Sequence, residues 1–264
     1  MNRHSTSVRH ADPASHQESQ QWVDTIEKGE GYVVPNEILF RKMLARMPRY
    51  AFFRALLRSV QPGDTVLEAG CGWALSSFAL AGRGVRVTAV DISLTLIAGL
   101  KRLQLKLGSD FAANLTFVRG DIFCLPEVLN VCDVVFSDGT YEHFLRYSDR
   151  RDMLRNVRAV LHEHGKFIVA VPNLRNPLFH SVVDLRMPSM HSFSAESLVA
   201  ELEDNGFDVI ETGFSFVNPG YAQWVQSRWM IVPIEIAGLV FPFLPRIVKR
   251  YFCAHLYCIA EKTS

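Results

Sequence analysis

Apolar positions are unevenly spaced along this chain, and the spacing changes period several times. The first 21 residues, MNRHSTSVRHADPASHQESQQ, are polar, with no apolar period, and are expected to form a flexible tail. Over residues 36–60, NEILFRKMLARMPRYAFFRALLRSV, apolar side chains recur three or four positions apart, as on one face of a helix. Pro48 lacks an amide hydrogen and clashes with the turn before it, so this stretch should divide into two short helices. The segment 22–60 thus reads as a helical extension or lid, closed by the turn Gln61-Pro62-Gly63-Asp64.

Beyond the turn the pattern becomes short apolar runs separated by helical or polar segments. Strands are expected at Thr65–Ala69, Arg86–Asp91, Leu115–Gly120, Asp133–Ser137 and Lys166–Val171, with helices near 74–82, 93–107, 124–130 and 148–162. The last of these should stop at His164-Gly165. Strands alternating with helices predict a parallel sheet. SFSAESLVAELEDNGF then reads as a helix with Ser194 as its cap and Gly206 as its stop, and two strands follow near 207–214 and 254–261.

An insertion, 215–252, separates those last strands and is far longer than a hairpin needs, which marks it as a lid or binding loop. Within it, WMIVPIEIAGLVFPFLPRIV at 229–248 is about as long as a spanning helix. Glu235 and prolines 233, 242 and 245 oppose a span, since each proline removes a backbone donor and a carboxylate is costly in lipid. A buried lid, a dimer contact or a peripheral membrane contact remain as readings.

Composition narrows the classes. The chain has 264 residues, 48% hydrophobic and 21% charged, enough for one large α/β domain with a buried core. A formal charge of +1 supplies no basic footprint for nucleic acid. Cys71, Cys124, Cys132, Cys253 and Cys258 are odd in number and form no CxxC pair, so neither a disulfide framework nor a zinc site is indicated. No metal is expected. With a polar N-terminus that lacks the apolar core of a signal peptide, a cytoplasmic location is the expectation.

Ligands of an open parallel sheet sit beyond the carboxyl ends of its strands, so the chemistry should lie there. The first end reads Glu68-Ala69-Gly70-Cys71-Gly72, whose glycines let the backbone turn sharply against a ligand or simply make a tight turn. The second supplies Asp91, about 20 residues after the glycines, the spacing at which a carboxylate bonds ribose hydroxyls; it equally suits a helix cap. The third supplies Gly120-Asp121-Ile122, where the acid is placed to accept an adenine amine and Ile122 to cover the ring. Two acids would bracket an adenosine.

EAGCG, VDIS, GDIFCLP, DVVFSDGTYEHF, GKFIVAVPN and HSFSAESLVAELEDNGFDVIE occur in that order. Through them residues 60–264 resemble the class I S-adenosylmethionine-dependent methyltransferases. The resemblance implies an α/β fold: a Rossmann-like methyltransferase sheet of seven strands in the order 3-2-1-4-5-7-6, strand 7 antiparallel, with helices on both faces. The methyltransferase domain would span 61–264, with S-adenosylmethionine as cofactor and S-adenosylhomocysteine as product. It would place Gly70, Cys71 and Gly72 at the methionine portion, Asp91 and Ile92 at the ribose, Asp121 with Ile122 at the adenine, and Ser137 and Asp138 at the methionine end. Glu68 would orient the loop or reach the ammonium group through water, and Tyr32 would approach the carboxylate from the extension.

The sequence departs from the family at Ala74, where a third glycine is usual. A dinucleotide fold needs G-x-G-x-x-G to seat a pyrophosphate, and Leu75 occupies its last position, which argues against a nicotinamide oxidoreductase. S-adenosylmethionine carries no pyrophosphate. His143 is the leading base candidate, because an unperturbed imidazole titrates near working pH; packing behind the cofactor loop is the alternative. Tyr141, Glu142, His180 and His191 follow. The end SDGT differs from the Asn-Pro-Pro-Tyr type that grips a planar amine. With Phe214, Phe216, Tyr221, Trp224 and Trp229 in or beside the insertion, the expected acceptor is a small apolar or aromatic molecule, methylated on oxygen in preference to sulfur or carbon. A silent module that only binds the cofactor is the competing reading.

Overall fold

The computed structural model describes residues 34–108, 111, 113–125, 131–176, 190–216 and 236–263. The flexible-tail expectation for 1–21, most of helix 124–130, and Tyr32, His180, Tyr221, Trp224 and Trp229 fall outside the described residues.

Two helices, α1 (Glu37–Arg46) and α2 (Ala51–Ser59), precede the sheet and are separated by a 3-10 turn, Met47–Arg49, at Pro48. Asn36 caps α1 by accepting the Leu39 amide at 3.0 Å. Then follow β1 (Thr65–Ala69), α3 (Leu75–Ala81), β2 (Arg86–Asp91), α4 (Leu94–Leu107), β3 (Leu115–Arg119), β4 (Cys132–Asp138), α5 (Tyr147–Val160), β5 (Leu161–Pro172), α6 (Ala195–Asp204), β6 (Phe207–Ser215), α7 (Arg246–Phe252) and β7 (His255–Lys262). The seven strands form one sheet in the order β3-β2-β1-β4-β5-β7-β6. Pairs among β1 to β5 are parallel, and β7 runs antiparallel to both β5 and β6.

Strand side chains alternate between two cores. Val66, Val87, Phe117, Val134, Phe136 and Ile168 face one cluster, which α1 to α4 cover with Phe40, Phe52, Phe53, Phe78 and Leu100. Leu67, Val90, Val135, Phe167 and Val169 face the other, covered by Met153, Leu154 and Val157 of α5 and Leu198 and Leu202 of α6. The period of two thereby determines which helix each strand residue meets. Helices α1 and α2 share this core with the sheet: the Phe52 ring lies 6.4 Å from Phe136 and 6.3 Å from Tyr257. Each fully buried phenylalanine contributes about 1.5–3 kcal/mol.

One boundary differs from the sequence reading. Helix α5 ends at Val160 and not at the His164-Gly165 stop, and β5 begins at once. The register jumps from Cys132↔Leu161 to Val134↔Lys166, so the intervening residues bulge from the sheet edge, with His164 in the left-handed region at φ 61°. Glycine 165 serves the bulge rather than a helix terminus. The other helix boundary at this level, Ser194, is a full capping box, with Ser194 Oγ accepting the Ser197 amide and Ser197 Oγ accepting the Ser194 amide.

Candidate active site

The carboxyl ends of β1, β2, β3 and β4 converge on a cleft of about 720 Å³, its solvent-open mouth included, lined by Gly70, Gly72, Asp91, Ile92, Asp121, Ile122, Asp138 and His143 of the expected residues. Leu96, Gly120, Gly139, Thr140 and Phe144 complete the lining. Glu68, Cys71 and Ser137 do not line it.

The loop after β1 is stitched to β2, with the amides of Gly70 and Cys71 donating to the Val90 carbonyl at 3.0 and 2.9 Å. Gly70 has φ 74°, and a Cβ there would lie 2.4 Å from the Thr140 methyl. Thr140 Oγ1 donates to the Gly70 carbonyl at 2.9 Å, so the loops after β1 and β4 close against each other only if position 70 has no side chain. Ala74, where the family usually has glycine, also takes the left-handed conformation, φ 54° and ψ 31°. That conformation costs an L-residue about 1–2 kcal/mol. Ala74 is buried, and its methyl joins the core beneath the loop. Trp73, half-buried, packs on the same core.

Asp91 is 8% exposed and holds the loop from the β2 end: its carboxylate accepts the Gly72 amide at 3.1 Å and the Ser93 amide at 3.0 Å. A carboxylate has about four acceptor positions, so these amides leave acceptor capacity for a ligand. Asp121 accepts the Phe123 amide at 3.0 Å and starts the 3-10 turn Ile122–Cys124. Asp138 accepts the Tyr50 hydroxyl at 2.9 Å and the Ser76 hydroxyl at 3.4 Å. Tyr50, from the N-terminal extension, was not visible as a site residue in the sequence; it reads there as one more position on an apolar helix face. Thr140 and Phe144 carried only their closeness to SDGTYEHF.

Glu68 lies behind the loop, buried, and accepts the Ser77 hydroxyl in a short hydrogen bond. Ser137 is fully buried, and its Oγ has no hydrogen-bond partner among the described residues. Cys71 is buried with its thiol directed at the Gly72 carbonyl, 3.7 Å away. Tyr141 donates to Glu201, which also pairs with Arg150 at 2.7 Å, so this hydroxyl is committed to the fold. His191 gives its amide to the Glu142 carbonyl at 2.7 Å and sets its ring edge-on to Phe193; it stands outside the cleft lining.

Burial dominates the electrostatics. It raises the carboxyls of Glu68 and Asp91, raises Asp138 to about 6 and raises Glu142 to about 8. It also pushes up the Cys71 thiol, with Asp91 and Glu68 adding to the effect. For His143 burial opposes the imidazolium and lowers the pKa to about 4. The imidazole is therefore neutral at pH 7 and a weaker base than its ordinary value suggests. Among the described residues the cleft lining has acids and no lysine or arginine. Such a site favours a cation and repels a diphosphate, which matches a ligand bearing a sulfonium and an ammonium group.

A seven-stranded sheet in this order, with an acidic cleft at the glycine loop, defines the class I S-adenosylmethionine-dependent methyltransferase fold. Residues 66–165 match the family described as "Methyltransferase domain". No curated protein sequence matches the chain. Among solved structures it is similar to magnesium protoporphyrin IX methyltransferase from Synechocystis PCC 6803 with bound S-adenosylhomocysteine. The identity is 16%, over 95% of this chain and 98% of that one, with TM-score 0.58. It is also similar to the glycopeptide N-methyltransferase MtfA in complex with S-adenosylhomocysteine (18%, 80% and 88%, 0.57). The [4+2]-cyclase SpnF has a similar fold (16%, 80% and 79%, 0.57).

Proposed function

We propose that this protein transfers the methyl group of S-adenosylmethionine to a small apolar or aromatic acceptor, preferentially at oxygen. The observation that supports this most is the acidic cleft at the ends of β1 to β4, without lysine or arginine among the described residues that line it. Bound there, S-adenosylmethionine would supply an already activated methyl group. Gly70 and Gly72 would pass its methionine portion, with Cys71 shaping the turn and Glu68 holding it from behind through Ser77. The free acceptor positions of Asp91 would take the ribose hydroxyls, with Ile92 beside them. Asp121 would accept the adenine amine and Ile122 would cover the ring, while Asp138 would face the methionine end, with Ser137 behind it. The domain at 61–264 would carry this site, and the 22–60 extension would reach it through the hydrogen bond of Tyr50 to Asp138.

His143 would work as a neutral hydrogen-bond acceptor. A hydroxyl donating to it is oriented for attack, and once the oxygen is methylated its proton is acidic enough for an imidazole of pKa about 4 to accept. Holding acceptor and methyl in line and excluding water would then account for most of the rate. Similar folds belong to methyltransferases named for a glycopeptide, geranyl diphosphate and magnesium protoporphyrin IX, which include large apolar skeletons, in keeping with this reading.

The cyclase on a similar fold keeps a second reading in view, a protein that holds the cofactor without transferring its methyl group. Calorimetry with S-adenosylmethionine, paired with release of S-adenosylhomocysteine over a panel of phenols, isoprenoids and tetrapyrroles, separates the two. Binding with turnover supports the transferase; binding without turnover on any acceptor supports the second reading. Asp91→Ala should weaken cofactor affinity at least tenfold, about the value of one charge-assisted hydrogen bond. His143→Ala should leave affinity near normal and slow turnover.

A further inference from the structure

The insertion before β7 carries a dense run of exposed large apolar side chains, at positions 236, 239, 240, 243, 247, 251 and 252. Residues 236–240 are helical, Phe241–Phe243 form a 3-10 turn, and α7 follows with no buried residue. Phe243 is 86% exposed, Ile247 69%, Leu239 59%, Ile236 57%, Phe252 53% and Val240 51%. Leu244 and Pro245, both with ψ 148°, separate the first two elements from α7, so the exposed side chains belong to three consecutive short elements. Single exposed apolar residues are ordinary, but a continuous run marks an interaction surface.

Its charge selects the partner. Residues 236–252 contain Arg246, Lys249 and Arg250 and no acid. Arg250 pairs with Glu196, whereas Arg246 bonds the Thr212 hydroxyl and Lys249 the Pro242 carbonyl, both at 2.7 Å, and neither meets a carboxylate among the described residues. No helix among the described residues is long and apolar enough to cross a membrane.

We propose that residues 236–252 dock the protein on an anionic membrane surface, with the exposed apolar side chains at the headgroup–acyl boundary and Arg246 and Lys249 at lipid phosphates. A second copy fits less well, because a two-fold contact sets the same basic patch against itself. The placement also matters for the cleft. Pro172 at the end of β5 and Ser215 at the end of β6 both pair with His255, so the insertion hangs from the sheet edge that carries the cleft. Docking holds that edge at the bilayer, where an acceptor dissolved in lipid is within reach; this last step alone rests on the methyl-transfer reading.

Flotation of the full chain with phosphatidylcholine vesicles, with and without phosphatidylglycerol, tests the docking. Recovery with the anionic vesicles, reduced by added salt, is expected. Phe243→Glu combined with Ile247→Glu should lower partitioning at least about 100-fold, roughly tenfold or more for each inserted side chain. Circular dichroism and cofactor calorimetry should stay unchanged, since both positions are exposed. Failure to float with anionic vesicles, or equal flotation of the variant, overturns the proposal. So does a wild-type dimer by sedimentation that the variant abolishes while neither protein floats. Cofactor binding is read independently, so loss of the docking proposal leaves the methyltransferase assignment intact.

Discussion

Glu142 offers a direct test of how burial controls charge beside the cleft. It is 2% exposed, and its Oε2 has no hydrogen-bond partner among the described residues. Desolvation, opposed by its own backbone amide and reinforced by Asp138, raises its pKa from 4.5 to about 8. At pH 7 the folded protein therefore holds a neutral carboxylic acid. In the unfolded chain the same group ionises from about pH 4.5 upward. The folded pKa is the higher one, so its stability contribution is full below the unfolded value and is lost as pH rises through the folded value. A gap of about three and a half units, at about 1.4 kcal/mol each, corresponds to a loss on the order of 3–5 kcal/mol between pH 4.5 and 8. Glu142→Gln has nearly the same shape and no titration. Urea unfolding of both proteins at pH 5 and pH 9 should show the variant gaining several kcal/mol relative to wild type at the higher pH. Any constant cost of the new amide cancels in that difference. Parallel pH profiles would refute a buried, neutral Glu142.

Two further outcomes follow from the contacts that close the cleft. Tyr50→Phe removes the hydroxyl that donates to Asp138 at 2.9 Å and should raise the Asp138 pKa from about 6 by about one unit, the lower end for a hydrogen bond to a charged group. A cationic cofactor favours ionised Asp138, so calorimetric affinity should fall as pH drops through that pKa, with the midpoint higher in the variant; an unmoved midpoint contradicts it. Gly70→Ala combines a left-handed φ with a 2.4 Å approach to Thr140 and should cost more than about 2 kcal/mol in urea unfolding. Adding Thr140→Ala should recover part of the loss, and no recovery would place the whole cost in the backbone.

Much of the fold is local, and local features are legible in a sequence. The short apolar runs in TVLEA and RVTAVD, the break at Pro48 and the Ser194 cap each depend on residues within a few positions of one another. The end of α5 was misread because Gly165 has the composition of a helix stop, whereas pairing of Leu161 with Cys132 on β4 draws the chain into a strand first. Ala74 shows the same limit at the site. Its presence weakened the glycine pattern, yet the backbone takes the left-handed turn with alanine, because the buried methyl and the helix that begins there offset a small strain.

The sequence by itself determined that Gly70 and Gly72, Asp91 and Asp121 stand at strand ends, because glycines and acids at those ends follow from chain-local pattern, and the family resemblance added Asp138. Tertiary structure alone decided which of them face the cleft and in what charge state. Glu68 turned behind the loop to Ser77, Tyr50 came from 88 positions away to Asp138, and burial moved His143 down to about 4 and Glu142 up to about 8. Desolvation and contact are sums over groups that only folding brings together, so no window of sequence contains them.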